Sequence, residues 1–179
     1  MIDVYKIVNE AEFALVEHFK RIDNISFENT KKIMDSFKAH RVSEAVFNPT
    51  SGYGYSDRGR DTLDEIWADV MGAEAAFVRH SIVNGTQALS IGLFGILRPY
   101  DILLSVTGKP YDTLAEMIGT RGSDPASLIS TGVSYGEVEL QKDYSFDLDE
   151  IEKNIKPNTL IVFIQRSPGY SWRRSVTIK

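Results

Sequence analysis

The stretch "SIVNGTQALSIGLFGIL", residues 81–97, decides how the chain is read. It follows the short apolar run "AEAAFVRH" (73–80) and passes, at Gly85 and Thr86, into an apolar pattern of helical type. A short strand, a glycine-bearing turn and a helix, in that order, open a βαβ unit. The first amides of a helix have no intrahelical partner, and the macrodipole adds partial positive charge there. Gly85 lets an anion approach the backbone and the Thr86 hydroxyl can donate one more bond, so "NGTQA" is a competent phosphate cradle. It lacks the lysine of a P-loop and the three-glycine spacing of a dinucleotide fold. A plainer account fits the same residues: Asn84 caps the helix and Gly85 relieves a tight turn.

Downstream the alternation continues. "DILLSV" (101–106) reads as a buried strand, "YDTLAEMIG" (111–119) as a short helix closed by Gly119, and "GVSYGEVEL" (132–140) as a strand. Asp147 and Glu150 cap the helix "LDEIEKNI", and "TLIVFIQR" (159–166) is a continuous apolar strand of the parallel-sheet type. Strand alternating with helix predicts an α/β sheet with right-handed crossovers. Tyr111 then stands beyond a strand's carboxyl end, where ligands bind in open α/β sheets and where a ring can stack on a flat cofactor.

Upstream, Val4, Ile7, Val8, Ala11, Leu15, Phe19 and Ile22 recur at helical spacing. Asn24 and Ser26 predict the cap of a second helix carrying Phe27, Ile33, Met34 and Phe37. The two helices read either as an arm that docks on something larger or as a hairpin of the domain itself. "FNPTSGYGYSDRGRD" (47–61) is a loop with two tyrosines and two arginines, and Thr62 with Glu65 predicts a capping box for the helix ended by Gly72.

At 179 residues, 42% hydrophobic and 25% charged, the composition is that of one globular domain. A net charge of −5 provides no basic field for nucleic acid. The absence of cysteine excludes disulfides and thiolate metal sites. His18, His40 and His80 form no i, i+4 pair, so no metal site is expected. The charged N-terminus is neither a signal peptide nor a membrane span, and a soluble, cytoplasmic protein is the expectation.

Taken in order, "YGYSDRG", "VNGTQAL", "KPYDTL" and "IQRSPGYSWRRS" resemble the aluminium-resistance branch of the cystathionine-lyase/methionine γ-lyase class. These are fold-type I enzymes dependent on pyridoxal 5'-phosphate (PLP). The resemblance covers nearly the whole chain. It implies the first part of a PLP-binding large domain, a three-layer α/β/α fold with a mostly parallel sheet, preceded by an N-terminal helical arm. The implied divisions are an arm over 1–46, an interface loop over 47–60 and the incomplete large domain over 61–179. The amides of Gly85 and Thr86 would hold the PLP phosphate. Tyr111 would stack on the pyridine and could assist proton transfer. Tyr55 and Arg58 resemble the pair that reaches a partner's phosphate across a dimer interface, and Asp57 lengthens their spacing by one residue, so Arg60 is a rival to Arg58. Without a ligand, Arg58 and Arg60 read equally as a solvated loop pair, and Tyr111 as a turn aromatic packed on its own helix. Pro168 and Arg174 depart from the family pattern.

The family's chemistry also needs a Schiff-base lysine and a carboxylate beside the pyridine nitrogen. Lys109 is the only lysine near the expected pocket, and Lys142, Lys153, Lys156 and Lys179 lie elsewhere. The expectation is therefore the N-terminal part of a PLP-dependent carbon–sulfur lyase acting on a sulfur amino acid, homodimeric or homotetrameric at full length and inactive as this chain alone. The alternative is a non-catalytic remnant or a phosphate-anchored binding or dimerisation module. In the family the first strand pairs with the seventh, so "AAFVRH" is expected to lack its neighbour here.

Overall fold

In the computed structural model, residues 3–55, 57–122, 124–167, 170 and 172–177 are described. Contacts divide the chain into two compact units, Met1–Ser81 and Ile82–Lys179.

The first unit is built on α1 (Val4–Ala39), a single helix of 36 residues. The two expected helices are thus one, and Asn24 and Ser26 cap nothing. No glycine or proline interrupts 4–39, and Asn29, which could have started a turn, instead bonds back to the Ile25 carbonyl at 2.8 Å. After a 3₁₀ turn (Glu44–Phe47) and the loop that follows it, α2 covers Arg58–Met71. It starts five residues earlier than a Thr62 N-cap predicts. Asp57 is the true N-cap, accepting from the Arg60 amide at 3.3 Å, so Arg58 and Arg60 are helical and Thr62 lies inside the helix. Gly72 closes α2 at φ +66, as its type allows. At Gly59 an added Cβ would collide with the Val46 carbonyl, so the missing side chain lets the 3₁₀ turn lie against α2.

"AAFVRH" is not a strand. No ladder partner reaches it among the described residues, and the Val78 amide goes to Asp64 Oδ1 at 2.7 Å instead. Arg79 pairs with the same carboxylate at 2.7 Å. A strand is defined by its neighbour, and here a side chain takes that place.

The second unit contains α3 (Gly85–Ile96), β1 (Ile102–Ser105), α4 (Asp112–Ile118), β2 (Ser134–Glu137), α5 (Leu148–Asn154) and β3 (Thr159–Phe163). The strands form one parallel sheet in the order β2-β1-β3, with Leu103 opposite Tyr135 on one side and Ile161 on the other. Successive strand residues point to opposite faces, and the central strand shows it. Leu103 joins Leu93 of α3, Leu97 just past its end, and Leu114 and Ile118 of α4 in one core, while Leu104 packs with Val106, Val138 and Ile151 of α5 in another. Helices thus cover both faces of β1, and the α/β expectation holds for this small sheet. No helix among the described residues is long and apolar enough to cross a membrane.

Candidate functional site

Asn84 accepts from the Gln87 amide at 2.8 Å, and Gln87 Oε1 accepts from the Val83 amide at 2.8 Å. This reciprocal cap satisfies the donors on either side of the helix start. The Gly85 and Thr86 amides between them have no hydrogen-bond partner among the described residues. Asn84 therefore caps, as the plainer account holds, but its account of Gly85 fails. Gly85 does not have a positive φ, and an added Cβ would meet nothing within 4 Å. Neither backbone conformation nor crowding demands glycine here, and what its absent side chain leaves bare is the first turn of α3.

Thr86 Oγ1 lies 3.0 Å from the Tyr111 hydroxyl and 3.2 Å from Thr113 Oγ1. Two elements converge to make this cluster. α3 presents Thr86 in its first turn, and Tyr111 is the N-cap of α4, in extended conformation at φ −62 and ψ 158. Between β1 and α4 the chain turns at Gly108, φ +73, whose carbonyl accepts from Ser105 Oγ at 2.6 Å. The Tyr111 ring is half-buried and packs against the core cluster that contains Leu103 of β1 as well as Leu114 of its own helix, so packing on its own helix is only part of its environment.

A hollow of about 380 Å³ opens beside it, lined by Leu89, Tyr111, Phe163, Gln165, Arg166 and Ser167 among others. It lies past the carboxyl end of β3, the usual place for ligands in an open parallel sheet. Gln165 joins its parts: its side-chain carbonyl accepts from the Tyr111 amide at 3.1 Å, and its own amide donates to Thr107 Oγ1 at 2.9 Å. Sequence reasoning missed Gln165, Thr107 and Thr113. The signal available was position, since Gln165 is the first polar residue after an apolar strand and Thr113 stands two residues past Tyr111.

Tyr55 and Arg58 belong to the first unit, and Gly85, Thr86 and Tyr111 to the second. Tyr55 is exposed on the loop. The two rival arginines differ in environment. Arg60 pairs with the buried Asp57 carboxylate at 2.8 Å and donates to the Gly52 carbonyl at 3.2 Å, whereas the exposed Arg58 side chain makes no bond among the described residues. Lys109 is exposed, as are all the described lysines. Pro168 and Lys179 lie outside the described residues. In the tail, Arg173 donates to the Gln165 carbonyl at 2.8 Å. Two unpartnered amides, a hydroxyl cluster and a ring at a strand-end hollow can together hold an anion and a flat group attached to it.

Residues 4–179 match the family model described as methionine gamma-lyase. The Bacillus subtilis protein YnbB is 47% identical over 174 residues, which are 97% of this chain and 41% of that protein. A structure from Listeria innocua, provisionally described as a cystathionine beta-lyase involved in aluminum resistance, superposes with a TM-score of 0.92 at 42% identity, covering 99% of this chain and 43% of that one. A carbon-sulfur lyase involved in aluminum resistance from Clostridium novyi superposes with a TM-score of 0.91 at 42% identity, over 97% and 42%. The chain thus spans about two fifths of the length of these relatives.

Proposed function

The chain belongs to the methionine gamma-lyase family, and we propose that it forms the phosphate-binding part of a PLP-dependent carbon–sulfur lyase acting on a sulfur amino acid. The observation that carries this reading is the bare first turn of α3, where two amides without a partner among the described residues meet at a glycine that the fold itself does not require. The names of the relatives support the reaction class.

The residues fit the group. Gly85 N–H, Thr86 N–H and Thr86 Oγ1 would bind the phosphate oxygens, favoured by the positive end of the helix dipole. The Tyr111 ring would lie on the pyridine face, and its hydroxyl, held by Thr86, would hold or move a proton beside the substrate. Bound PLP supplies the electron sink that makes loss of a proton and then of a thiol from the substrate carbon chain feasible. Phe163 and Leu89 would keep water from one side of the hollow.

Arg58 is the arginine we assign to a partner's phosphate in a homodimer or homotetramer, with Tyr55 beside it. Its guanidinium makes no bond among the described residues, while Arg60 is spent on fixing the loop through Asp57. A planar fork suits a phosphate because it gives two parallel bonds. The site is incomplete in one respect: among the described residues no lysine lines the hollow, where one would be needed to bond the cofactor's aldehyde. The 179-residue chain alone is therefore the cofactor-holding part and does not turn over substrate.

The test is thiol release by the whole protein supplied with PLP and with cystathionine, cysteine or methionine in turn. PLP-dependent release from at least one of them is expected. A whole protein that binds no PLP and releases no thiol from any of the three contradicts the proposal.

A further inference from the structure

We propose that Gln165 is the positioning residue of this site: its side-chain carbonyl fixes the main chain of Tyr111, and through it the approach of the Tyr111 hydroxyl to Thr86. The inference rests on the cofactor reading for its consequence, but not for its geometry. Tyr111 is the N-cap of α4, so its amide stands outside the helical ladder, and Gln165 Oε1 is the one partner that this amide has among the described residues. The segment leading to it turns at Gly108 with φ +73, where the Gly108 amide donates to the Val138 carbonyl at 2.9 Å, and the bond from Tyr111 to Gln165 is a second tether beyond that turn. Gln165 is itself tied down. Its amide donates to Thr107 Oγ1 at 2.9 Å and its carbonyl accepts from Arg173 Nη2 at 2.8 Å, so the side chain reaches Tyr111 from a fixed base beyond β3.

The tyrosine ring is a rigid spacer. A displacement of the Tyr111 main chain is therefore passed to its hydroxyl, which lies 3.0 Å from Thr86 Oγ1. That distance already lies at the limit of a hydroxyl–hydroxyl bond, so a shift of well under ~1 Å breaks it. Gln165 thus sets where a stacked ring and its hydroxyl stand relative to the α3 amides.

The test combines site-resolved hydrogen exchange with PLP affinity, both measured on the whole protein. Gln165→Met, nearly isosteric but without the acceptor, should speed exchange of the Tyr111 amide about tenfold, the net worth of one hydrogen bond. Gln165→Glu, which keeps the acceptor, should restore it. Exchange at the buried Leu103 and Leu104 amides serves as the folding control, and Gln165→Asn, one methylene too short to reach, replaces the Met variant should that fail. In the whole protein Gln165→Met should raise the PLP dissociation constant roughly three- to tenfold, with recovery in Gln165→Glu and no further loss in a Tyr111→Ala background. Unchanged Tyr111 exchange in both the Met and the Asn variant overturns the positioning role. Altered exchange with no PLP binding by any variant leaves that role standing and overturns the cofactor reading instead.

Discussion

Thr86 Oγ1 and the Tyr111 hydroxyl stand 3.0 Å apart, joining the first turn of α3 to the N-cap of α4 across 25 residues of sequence. The contact places the candidate phosphate donor and the candidate stacking ring in one hydrogen-bonded unit, so neither can be altered without consequence for the other.

Removal of the Thr86 hydroxyl by Thr86→Val should weaken PLP retention in the whole protein by about 1.5–3 kcal/mol, the worth of a hydrogen bond to a charged group. Gly85→Val should cost more, because its side chain would occupy the space the phosphate needs, whereas an added Cβ there would meet nothing of the protein within 4 Å. Retention after dialysis is the measurement, and wild-type retention in both variants would leave the helix start a purely structural task.

The isolated 179-residue chain supplied with PLP should release no thiol from cystathionine, cysteine or methionine above the rate of free PLP. The expectation follows from the lining of the hollow, which among the described residues includes neither Lys109 nor any other lysine. Release above that background, abolished by Lys109→Ala, would show that a lysine of this chain reaches the cofactor.

Much of this site follows from short-range grammar. Asn84, Asp147, Gly72 and Gly119 announce helix ends through their own side chains or their tolerance of positive φ, and the structure uses all four in that way. The failures have a different origin. Asn24 and Ser26 are good caps, but a cap residue does not end a helix that nothing else interrupts. "AAFVRH" has strand composition, yet strands are made by partners, and Asp64 took the amide that a partner would have used. Gln165 lies 54 residues from Tyr111, and no local pattern reports a contact of that span.

His40 follows α1 and sits between two carboxylates of α2, with Nε2 2.7 Å from Asp69 Oδ2 and Nδ1 3.1 Å from Glu65 Oε2. Both ring nitrogens can donate at once only in the imidazolium. The Asp69 hydrogen bond raises the His40 pKa above its ordinary 6.5, and His40 together with Ser36 lowers that of Asp69 below 3.8. A raised folded-state pKa contributes stability that is complete below 6.5 and lost as pH rises through the folded value. The Asp69 share is lost only as pH falls through its depressed value. Thermal unfolding should therefore separate wild type from His40→Gln more widely near pH ~5.5 than near pH ~8.5. An equal separation at both contradicts the imidazolium clamp.

Large apolar side chains stand in water on several elements. Phe13 is 85% and Phe27 65% exposed on α1, and Leu160 is 53% exposed on β3. Covering such surface is favourable by ~25 cal/mol per Å², and "AAFVRH" adds backbone without a ladder partner. The chain purified alone should associate and should not unfold in urea as a cooperative monomer. Sedimentation velocity showing a monodisperse monomer, with a sharp two-state transition, would mean that these faces are satisfied within the chain.

The claim on which the rest depends is that the first turn of α3 holds the phosphate of PLP. A crystal structure of the whole protein with bound PLP tests it directly. The account predicts phosphate oxygens at hydrogen-bond distance, ~2.7–3.2 Å, from Gly85 N, Thr86 N and Thr86 Oγ1, with the Tyr111 ring parallel to the pyridine. A phosphate bound away from the start of α3, or a pyridine that leaves Tyr111 uncovered, would contradict it.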